Sequence, residues 1–435
     1  MIKEETLKNR DYYLNKLIAF KDTSFIKIVT GIRRCGKSKL LDLMIRHLIE
    51  NGIKEEQIIK MNFESFEFKN MSNDEVYLYV KNRTLKNKRM YLFFDEIHKI
   101  NKWEEVINAI KVDIDSDIYI TGSNAYLLSS EYATYLSGRS VEIKMLPLTF
   151  KEFIYFHNFK IEQKIDALGN NKTIILDKEN NIYQLNELFN AYLKYGGFPG
   201  LSENTLNQEN TLMVLDGIYN TVVLKDILNR SKNNKKTIND PVLLEKIILY
   251  LTDNIGSNIS ASNIGNVLKN QGILEKETTP SKHTVLNYVD ALTEAYIFYE
   301  IKRFDIKGKD FLKTLGKYYI VDPGLHNYLL GYRNRDIGHI IENIVYFELL
   351  SRGYDVAIGK IDKYEIDFIA IKDNEKKYIQ VSKSLLNDET LKREIKPLTM
   401  IEDNYEKIIL TLDEFYENNI NGIKIINLMN WLIEK

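Results

Sequence analysis

Eight consecutive residues, Gly31–Ser38, restrict the possible folds of this chain more than any other segment. Their sequence is Gly-Ile-Arg-Arg-Cys-Gly-Lys-Ser, with glycine first and sixth and a lysine–serine pair at the end. An apolar, β-branched run at 25–30 precedes them, and a helical pattern from Lys37 to about Glu50 follows. A strand, a glycine-rich turn and a helix in this order predict a loop that holds phosphate groups at a helix N-terminus.

The residue types of this loop indicate a site for ATP and Mg²⁺. The two glycines let backbone N–H groups surround phosphate oxygens. The Lys37 ammonium is expected to reach the β- and γ-phosphates, and the Ser38 hydroxyl to ligate Mg²⁺. The predicted nucleotide contacts are Gly31, Ile32, Arg33, Arg34, Cys35, Gly36, Lys37 and Ser38.

Three residues inside the loop have open roles. Arg33 and Arg34 either contact phosphate or a neighbouring acidic group, or are simply exposed to solvent. Cys35 is either a redox-sensitive thiol, because helix N-termini lower the pKa of thiols, or a small residue that fits the loop.

A second motif, Met-Tyr-Leu-Phe-Phe-Asp-Glu, occupies residues 90–96. Its apolar run predicts a buried strand, and two carboxylates follow at the carboxyl end, where α/β sheets bind ligands. Asp95 is predicted to hold Mg²⁺ through water, and Glu96 to polarise the water that attacks the γ-phosphate. The alternative is an ordinary strand that ends in an acidic turn.

Further polar positions are candidates for roles in hydrolysis. A strand pattern at 118–121 is followed by Gly-Ser-Asn, and Ser123 or Asn124 would orient water near the γ-phosphate if this strand lies between those of the two motifs. A plain turn is the alternative. Arg139 is a candidate arginine finger supplied to a neighbouring subunit, which would require a homo-oligomer. A solvated arginine or an internal salt bridge is the alternative for this residue.

Composition excludes several classes of protein. The 60 Lys and Arg residues against 61 Asp and Glu give a net charge of −1, which excludes a generally polybasic nucleic-acid binder. The single cysteine excludes an internal disulfide and a cysteine-based zinc site. We see neither a signal peptide nor an apolar run of the ~20 residues that a membrane span needs. We therefore expect a cytoplasmic protein without membrane contact.

The chain of 435 residues is long enough for about three domains at ~150 residues each. Strand and helix patterns alternate up to residue 150, which predicts an α/β fold with a parallel sheet covered by helices. The segment 149–230 has a mainly helical pattern, and a later order of three helices and a hairpin predicts a winged helix-turn-helix. The predicted parts are an N-terminal helix (1–22), a P-loop ATPase core (23–150), a helical lid or connector (151–235), a winged helix (236–320) and a further α/β domain (321–435).

Nearly the whole chain resembles the AAA-type ATPase family of bacteria and archaea that carries a C-terminal nuclease-like domain. The resemblance implies ATP binding on an α/β core, followed by a winged-helix segment. The matching segments are Gly31–Ser38, Tyr91–His98, Thr121–Asn124, Leu136–Phe153, Tyr195–Gly200 and Val321–Leu325.

The predicted winged helix is the candidate DNA contact. Residues 230–317 contain 14 Lys and Arg against 10 Asp and Glu, an excess of four positive charges. Lys282 and His283 begin the candidate recognition helix. Contacts with a protein partner or with another domain are the alternative. The excess is greatest around the expected wing, at Lys302, Arg303, Lys307, Lys309, Lys313 and Lys317.

The C-terminal segment resembles the PD-(D/E)xK nuclease fold, with Glu342, Asp367 and Gln380 at the positions of its site residues. Active members have a Glu where this chain has Gln380, and a lysine two residues later, where it has Ser382. A neutral amide oxygen weakens Mg²⁺ binding, so a degenerate structural or binding module is expected. Glu342, Glu365 and Asp367 are left as a possible metal site.

These observations predict an ATPase that couples turnover to action on DNA or on a protein partner. Two alternatives stay open: a slow nucleotide-gated switch, and a metal-dependent nuclease controlled by ATP.

Overall fold

The computed structural model describes residues 7–122, 138–165, 171–203, 207–221, 227–228, 238, 240–270, 280–312, 316–414 and 417–434. The chain divides into two compact units, one of Met1–Leu146 with Glu294–Tyr296 and one of Pro147–Thr293 with Ile297–Lys435. Within the described ranges, no helix combines the length and the apolar character needed to cross a bilayer.

The first unit is built on a five-stranded parallel sheet in the order β2-β3-β4-β1-β5. The strands predicted at the two motifs and at 118–121 are confirmed, as is the alternation of strands and helices along this part of the chain. The strands are β1 (Ile26–Thr30), β2 (Ile58–Asn62), β3 (Met90–Asp95), β4 (Ser116–Thr121) and β5 (Ser140–Lys144), and the helices are α1 (Asp11–Ala19), α2 (Lys37–Glu50), α3 (Asn73–Lys81) and α4 (Trp103–Asp113).

The register of this sheet brings the ends of its central strands together. All residues of β1 and β3 are buried, as expected for parallel strands covered on both faces. Val29 pairs with Thr121, and Asn62 pairs with Asp95. Polar residues that end β2, β3 and β4 therefore lie at the edge of the sheet from which the loop after β1 emerges.

A buried ion pair lies near the other ends of the strands. The Lys27 ammonium on β1 donates to the Asp117 carboxylate on β4, and both side chains are fully buried. The Tyr119 hydroxyl donates to Asp117 Oδ2 at 2.8 Å, and Lys27 Nζ also donates to the Phe25 carbonyl at 3.0 Å. These hydrogen bonds satisfy charges that would otherwise be costly to bury.

The second unit begins with helices and a small antiparallel sheet, β6-β7-β8. The mainly helical pattern expected for 149–230 is therefore wrong for 160–183. The elements are α5 (Phe150–Phe156), β6 (Lys160–Ile165), β7 (Asn171–Leu176), β8 (Ile182–Tyr183), α6 (Leu185–Tyr195) and α7 (Gln208–Tyr219).

The next segment confirms the three predicted helices and the antiparallel pairing of the strands after them. Its three-stranded sheet has the order β10-β13-β9, while β11 and β12 depart from it and join the sheet that follows. The elements are α8 (Pro241–Asp253), β9 (Asn258–Ile259), α9 (Ala261–Asn270), α10 (Lys282–Glu294), β10 (Phe298–Ile301), β11 (Arg303–Asp305), β12 (Asp310–Phe311) and β13 (Gly316–Ile320).

The last segment contains an eight-stranded sheet in the order β12-β11-β14-β15-β16-β17-β19-β18. Strands β14, β15 and β16 pair antiparallel, and β17 pairs parallel with β16 after a connecting helix. The elements are α11 (Pro323–Leu330), α12 (Ile337–Ser351), β14 (Asp355–Ile361), β15 (Tyr364–Lys372), β16 (Glu375–Ser382), α13 (Asp388–Thr399), β17 (Glu406–Thr411), β18 (Asn419–Ile420), β19 (Ile423–Asn427) and α14 (Leu428–Ile433).

Two sequence motifs that are far apart in the chain meet inside the second unit. The buried Asp322 carboxylate accepts from Gly197 N–H at 2.6 Å and from Gly324 N–H at 2.8 Å. A Cβ atom at Gly197 would lie 2.4 Å from the Leu148 carbonyl oxygen, and one at Gly324 would lie 2.2 Å from that of Tyr195. Close approach of backbones therefore requires glycine at these positions.

Candidate active site

The loop Gly31–Ser38 connects β1 to α2 as predicted. Gly31 has φ 140°, and a Cβ atom there would lie 2.1 Å from the Met145 carbonyl oxygen. Gly36 has φ 105° and caps the N-terminus of α2. Both glycines are thus required by the backbone, in a turn that directs the start of α2 toward the space above the loop.

Lys37 and Ser38, the first residues of α2, both point to the predicted site. Lys37 is buried, and its ammonium donates to the carbonyls of Gly31 at 3.0 Å and Ile32 at 3.1 Å. Ser38 Oγ donates to Asp95 Oδ1 at 3.0 Å. The structure therefore joins the two sequence motifs directly, through a hydroxyl and a carboxylate.

Asp95 is fully buried at the end of β3 and is held by side chains from three other elements. Thr121 Oγ1 donates to Asp95 Oδ1, and Asn62 Nδ2 donates to Oδ2 at 3.2 Å. Burial raises the pKa of the Asp95 carboxyl, although the hydrogen bonds from Thr121 and Ser38 oppose the rise. A cation placed here would relieve that cost, since opposite charge favours the ionised form.

The Ser38 and Asp95 oxygens fit a magnesium site. Hard oxygen ligands are what Mg²⁺ prefers, and it usually takes one or two carboxylates together with substrate phosphates and water. Such an ion, when bound, neutralises charge on the β- and γ-phosphates.

Glu96 has a strained backbone that places its carboxylate beside this group. Its φ is 55°, in the left-handed region that non-glycine residues seldom adopt. Its N–H donates to Thr121 Oγ1 at 3.0 Å, and its Oε2 lies 3.3 Å from His98 Nδ1. Thr121 thus positions both acidic residues.

Arg10 is a further residue of the site that the sequence did not indicate. Its buried guanidinium, from the turn before α1, donates to the carbonyls of Cys35 at 3.2 Å and Leu146 at 2.8 Å. The Tyr13 hydroxyl accepts from Leu146 N–H at 3.1 Å. Because Arg10 holds a carbonyl inside the phosphate-binding loop, it helps fix the loop's conformation.

The open roles in the loop are decided in part. Arg33 forms an ion pair with Glu64 at 2.6 Å, which is the neighbouring acidic group expected as one alternative. Arg34 is exposed. Cys35 is fully buried and burial raises the pKa of its thiol, which favours the alternative of a small residue that fits the loop.

The remaining candidates of this unit lie apart from the loop or outside the described residues. Strand β4 lies between β1 and β3, as the role of Ser123 or Asn124 required, but both residues fall outside the described ranges. Arg139 is exposed, and its carbonyl accepts from Ile26 N–H at the start of β1. The phosphate-binding loop follows the other end of β1. At ~3.3 Å per residue, the five residues of β1 therefore separate the Arg139 backbone from the loop of the same chain by about 16 Å.

In the second unit, the three nuclease-like candidates are brought together. Glu342, Asp367 and Gln380 line one cavity of about 670 Å³. Gln380 Oε1 accepts from Asp367 N–H at 2.7 Å, and Asp367 Oδ2 accepts from Val381 N–H at 2.8 Å. The proposed metal site of Glu342, Glu365 and Asp367 is wrong: among described residues, no group of three or more His, Cys, Asp or Glu side chains is arranged to hold a metal ion.

Three of the six basic residues expected on a wing lie beside carboxylates. Lys307 donates to Asp362 at 2.7 Å, and Lys317 is buried between Glu342 and Glu365. Arg303 lies 3.8 Å from Glu365. Lys302 and Lys309 are exposed, and Lys313 lies outside the described ranges. The charge excess in the sequence therefore overstates the positive charge of this surface.

Comparison with known proteins gives matches over most of the chain. Residues 23–154 match a family profile described as an AAA domain, and residues 186–336 match a domain of unknown function, DUF8612. An uncharacterized protein of Haemophilus influenzae is 38% identical over 430 residues, 98% of each chain. The uncharacterized protein MJ1544 of Methanocaldococcus jannaschii is 32% identical over 98% of this chain and 86% of its own. The solved Walker-type ATPase PABY2304 of Pyrococcus abyssi aligns with 74% of this chain and 95% of its own, at 16% identity and a TM-score of 0.47.

Proposed function

Because the chain belongs to one family with the Haemophilus and Methanocaldococcus proteins and carries an AAA-type P-loop domain, we propose that it binds ATP with Mg²⁺ and hydrolyses it. The observation that carries this proposal is the hydrogen-bonded group of Ser38, Asp95, Thr121 and Glu96 beside the phosphate-binding loop. In it, Lys37 and the loop N–H groups bind the triphosphate, and Ser38 and Asp95 hold Mg²⁺.

Glu96 is the proposed base for the attacking water. The hydrogen bond from its N–H to Thr121 Oγ1 fixes its backbone, which holds the carboxylate at the end of β3 where it can accept a proton from the water. The attacking oxygen joins the γ-phosphorus as the bond to the β-phosphate oxygen breaks, which yields ADP and phosphate.

The direct test is ATP hydrolysis by two variants. Lys37→Ala should lose nucleotide binding and turnover together. Glu96→Gln should bind ATP with little change and lose at least 100-fold in kcat. Lys39→Ala, an exposed neighbour of the loop, is the matched control. Undiminished turnover in Glu96→Gln would overturn the role of Glu96, and tight binding with near-zero turnover in the wild type would favour the slow switch.

We propose DNA as the partner to which turnover is coupled, through a winged helix at 236–320. Support comes from the order α8-β9-α9-α10-β10-β13, with three helices and a three-stranded antiparallel sheet. Lys282 and His283 at the start of α10 are exposed, as residues that contact bases must be. The proposed parts on either side are the connector 151–235 and the nuclease-like domain 321–435.

The test of this coupling is ATPase activity with and without single- and double-stranded DNA at two salt concentrations. We expect DNA to stimulate the ATPase activity, and this stimulation to decrease at the higher salt concentration. Lys282→Ala should reduce the stimulation more than Lys246→Ala, which is a control in the same segment. Absence of any DNA effect would point instead to a protein partner.

We also propose that Arg139 acts in a neighbouring copy of the chain. Its distance from its own loop supports action in trans, and its exposure leaves it accessible. Mixing Arg139→Ala with Glu96→Gln protein should then restore turnover in mixed oligomers, whereas two inactive proteins that stay inactive when mixed would overturn the proposal.

A further inference from the structure

A cation of the protein itself is paired with two carboxylates that line the cavity of the C-terminal segment. Lys317, on β13, is only 4% exposed, and its ammonium lies 2.6 Å from Glu365 Oε1 on β15 and 3.3 Å from Glu342 Oε1 on α12. These carboxylates are two of the three that we considered as metal ligands from the sequence. We infer that the Lys317 ammonium takes the place of a divalent cation in this group, so that the nuclease-like cavity holds no catalytic metal.

The hydrogen bonds of the two glutamates support this assignment. Glu365 Oε2 accepts from Asn258 Nδ2 at 3.2 Å and lies 3.8 Å from the Arg303 guanidinium. Glu342 Oε1 accepts from the Tyr319 hydroxyl in addition to Lys317. Protein groups thus already supply the positive charge and the donors that a metal ion would provide to these two carboxylates.

The third position of the nuclease pattern is also used for other contacts. The Gln380 oxygen accepts from the Asp367 N–H, and its amide nitrogen donates to Glu394 Oε2 at 2.9 Å. The one oxygen that Gln380 has for a metal is thus turned to the backbone of β15. The neutral amide of Gln380 therefore links β16 to β15 by a hydrogen bond and does not serve as a metal ligand.

Charge balance favours the ammonium over a metal ion. Burial tends to lower the pKa of Lys317, but the charges of Glu342, Asp367 and Glu365 raise it above the ordinary lysine value. The lysine is therefore charged at neutral pH, and a divalent ion between the same carboxylates would be repelled by it at close range.

The contacts of Lys317 also have a structural consequence. Lys317 and Tyr319 lie on the three-stranded sheet, while Glu342 and Glu365 lie on α12 and the eight-stranded sheet. The ion pairs therefore connect β13 to α12 and to β15 within the second unit. Unlike a bound metal ion, the lysine cannot dissociate from the protein.

The experiment is a Mn²⁺ titration of the full chain without nucleotide, followed by the electron paramagnetic resonance of free Mn²⁺. Asp95→Asn is present in every protein to disable the phosphate-loop site. Lys317→Ser removes the charge and opens space, Lys317→Arg keeps the charge, and Lys302→Ser changes an exposed lysine nearby. We expect Lys317→Ser to bind one Mn²⁺ at least tenfold more tightly than its parent, and the other two to match the parent. Adding Asp367→Asn to Lys317→Ser should abolish the gain.

Two results would overturn the inference. One is a folded Lys317→Ser protein, judged by circular dichroism, that gains no Mn²⁺ binding. The other is a parent protein that binds Mn²⁺ itself and loses the ion on Asp367→Asn. The second result would overturn the inference even if Lys317→Ser fails to fold. Mn²⁺-dependent DNA cleavage by the wild type would also overturn it, if Asp367→Asn eliminates that cleavage.

Discussion

The buried carboxylate of Asp322 should make the second unit less stable as pH rises. Burial raises the pKa of Asp322 from its ordinary 3.8 to about 7, against the opposing effect of hydrogen bonds from the N–H groups of Gly197, Leu325 and Gly324. Burial dominates because the side chain is 1% exposed and these donors are uncharged backbone groups. At ~1.4 kcal/mol per pKa unit, this rise corresponds to about 4 kcal/mol in the free energy of unfolding.

The sign follows from proton binding. Between pH 4 and pH 7 the folded state keeps a proton on Asp322 that the unfolded state has lost, so the free energy of unfolding falls as pH rises. The steepest loss is about 1.4 kcal/mol per pH unit, and the contribution becomes constant above pH 7 to 8. Asp322→Asn does not titrate, so the difference between wild type and variant isolates this group.

The measurement is urea unfolding of both proteins at pH 5, 6, 7 and 8, followed by Trp431 emission in a Trp103→Phe background, since Trp431 belongs to the second unit. The stability of the wild type relative to Asp322→Asn should decrease by roughly 2 to 3 kcal/mol over this range. A constant difference would show that the backbone donors cancel the effect of burial. A wild-type advantage that grows with pH would show that they outweigh it, which would refute the reasoning.

Three further predictions concern the first unit. Arg10→Met removes the Nη1 donor that bonds both the Cys35 and the Leu146 carbonyls, so the Kd for a fluorescent ATP analogue should rise about tenfold, whereas Arg83→Met, at an exposed position after α3, should leave it unchanged. Lys27→Met leaves the Asp117 charge buried and should cost about 3 to 5 kcal/mol in urea unfolding, and adding Asp117→Leu should restore part of that loss; equal stability of single and double variants would contradict this. Cys35 should react with a thiol reagent at least 100-fold more slowly in the folded protein than in urea, and rapid labelling of the native chain would contradict its burial.

The sequence was sufficient for those parts of the site that depend on neighbours along the chain. The loop Gly31–Ser38 and the carboxylates Asp95 and Glu96 follow from a strand pattern and the residues directly after it. Thr121 and Asn62 were missed because their role depends on which strands are adjacent in the sheet. Arg10 was missed for the same reason: nothing near it in sequence indicates that its partners are carbonyls of Cys35 and Leu146.

Local patterns were misleading where the structure of a segment depends on its pairing or packing with another segment. Residues 160–183 have no strong alternation, and their strands are defined by pairing with each other. The glycines at 197 and 324 were noted only as parts of family motifs. Their physical reason is the close approach of the Leu148 carbonyl to Gly197 and of the Tyr195 carbonyl to Gly324, and these partners lie 49 and 129 positions away in the chain.

One set of ion pairs accounts for two differences from the expectations for the second unit. The sequence indicated a basic wing and, separately, a group of carboxylates suited to a metal ion. In the structure Glu342 and Glu365 bind Lys317, and Glu365 also lies near Arg303, so the same contacts neutralise the wing and occupy the carboxylates. These ion pairs therefore count against a metal site and against a strongly basic wing at the same time. Any contact with DNA must then depend on α10 and on exposed lysines such as Lys302 and Lys309, and the salt dependence of binding should be correspondingly shallow.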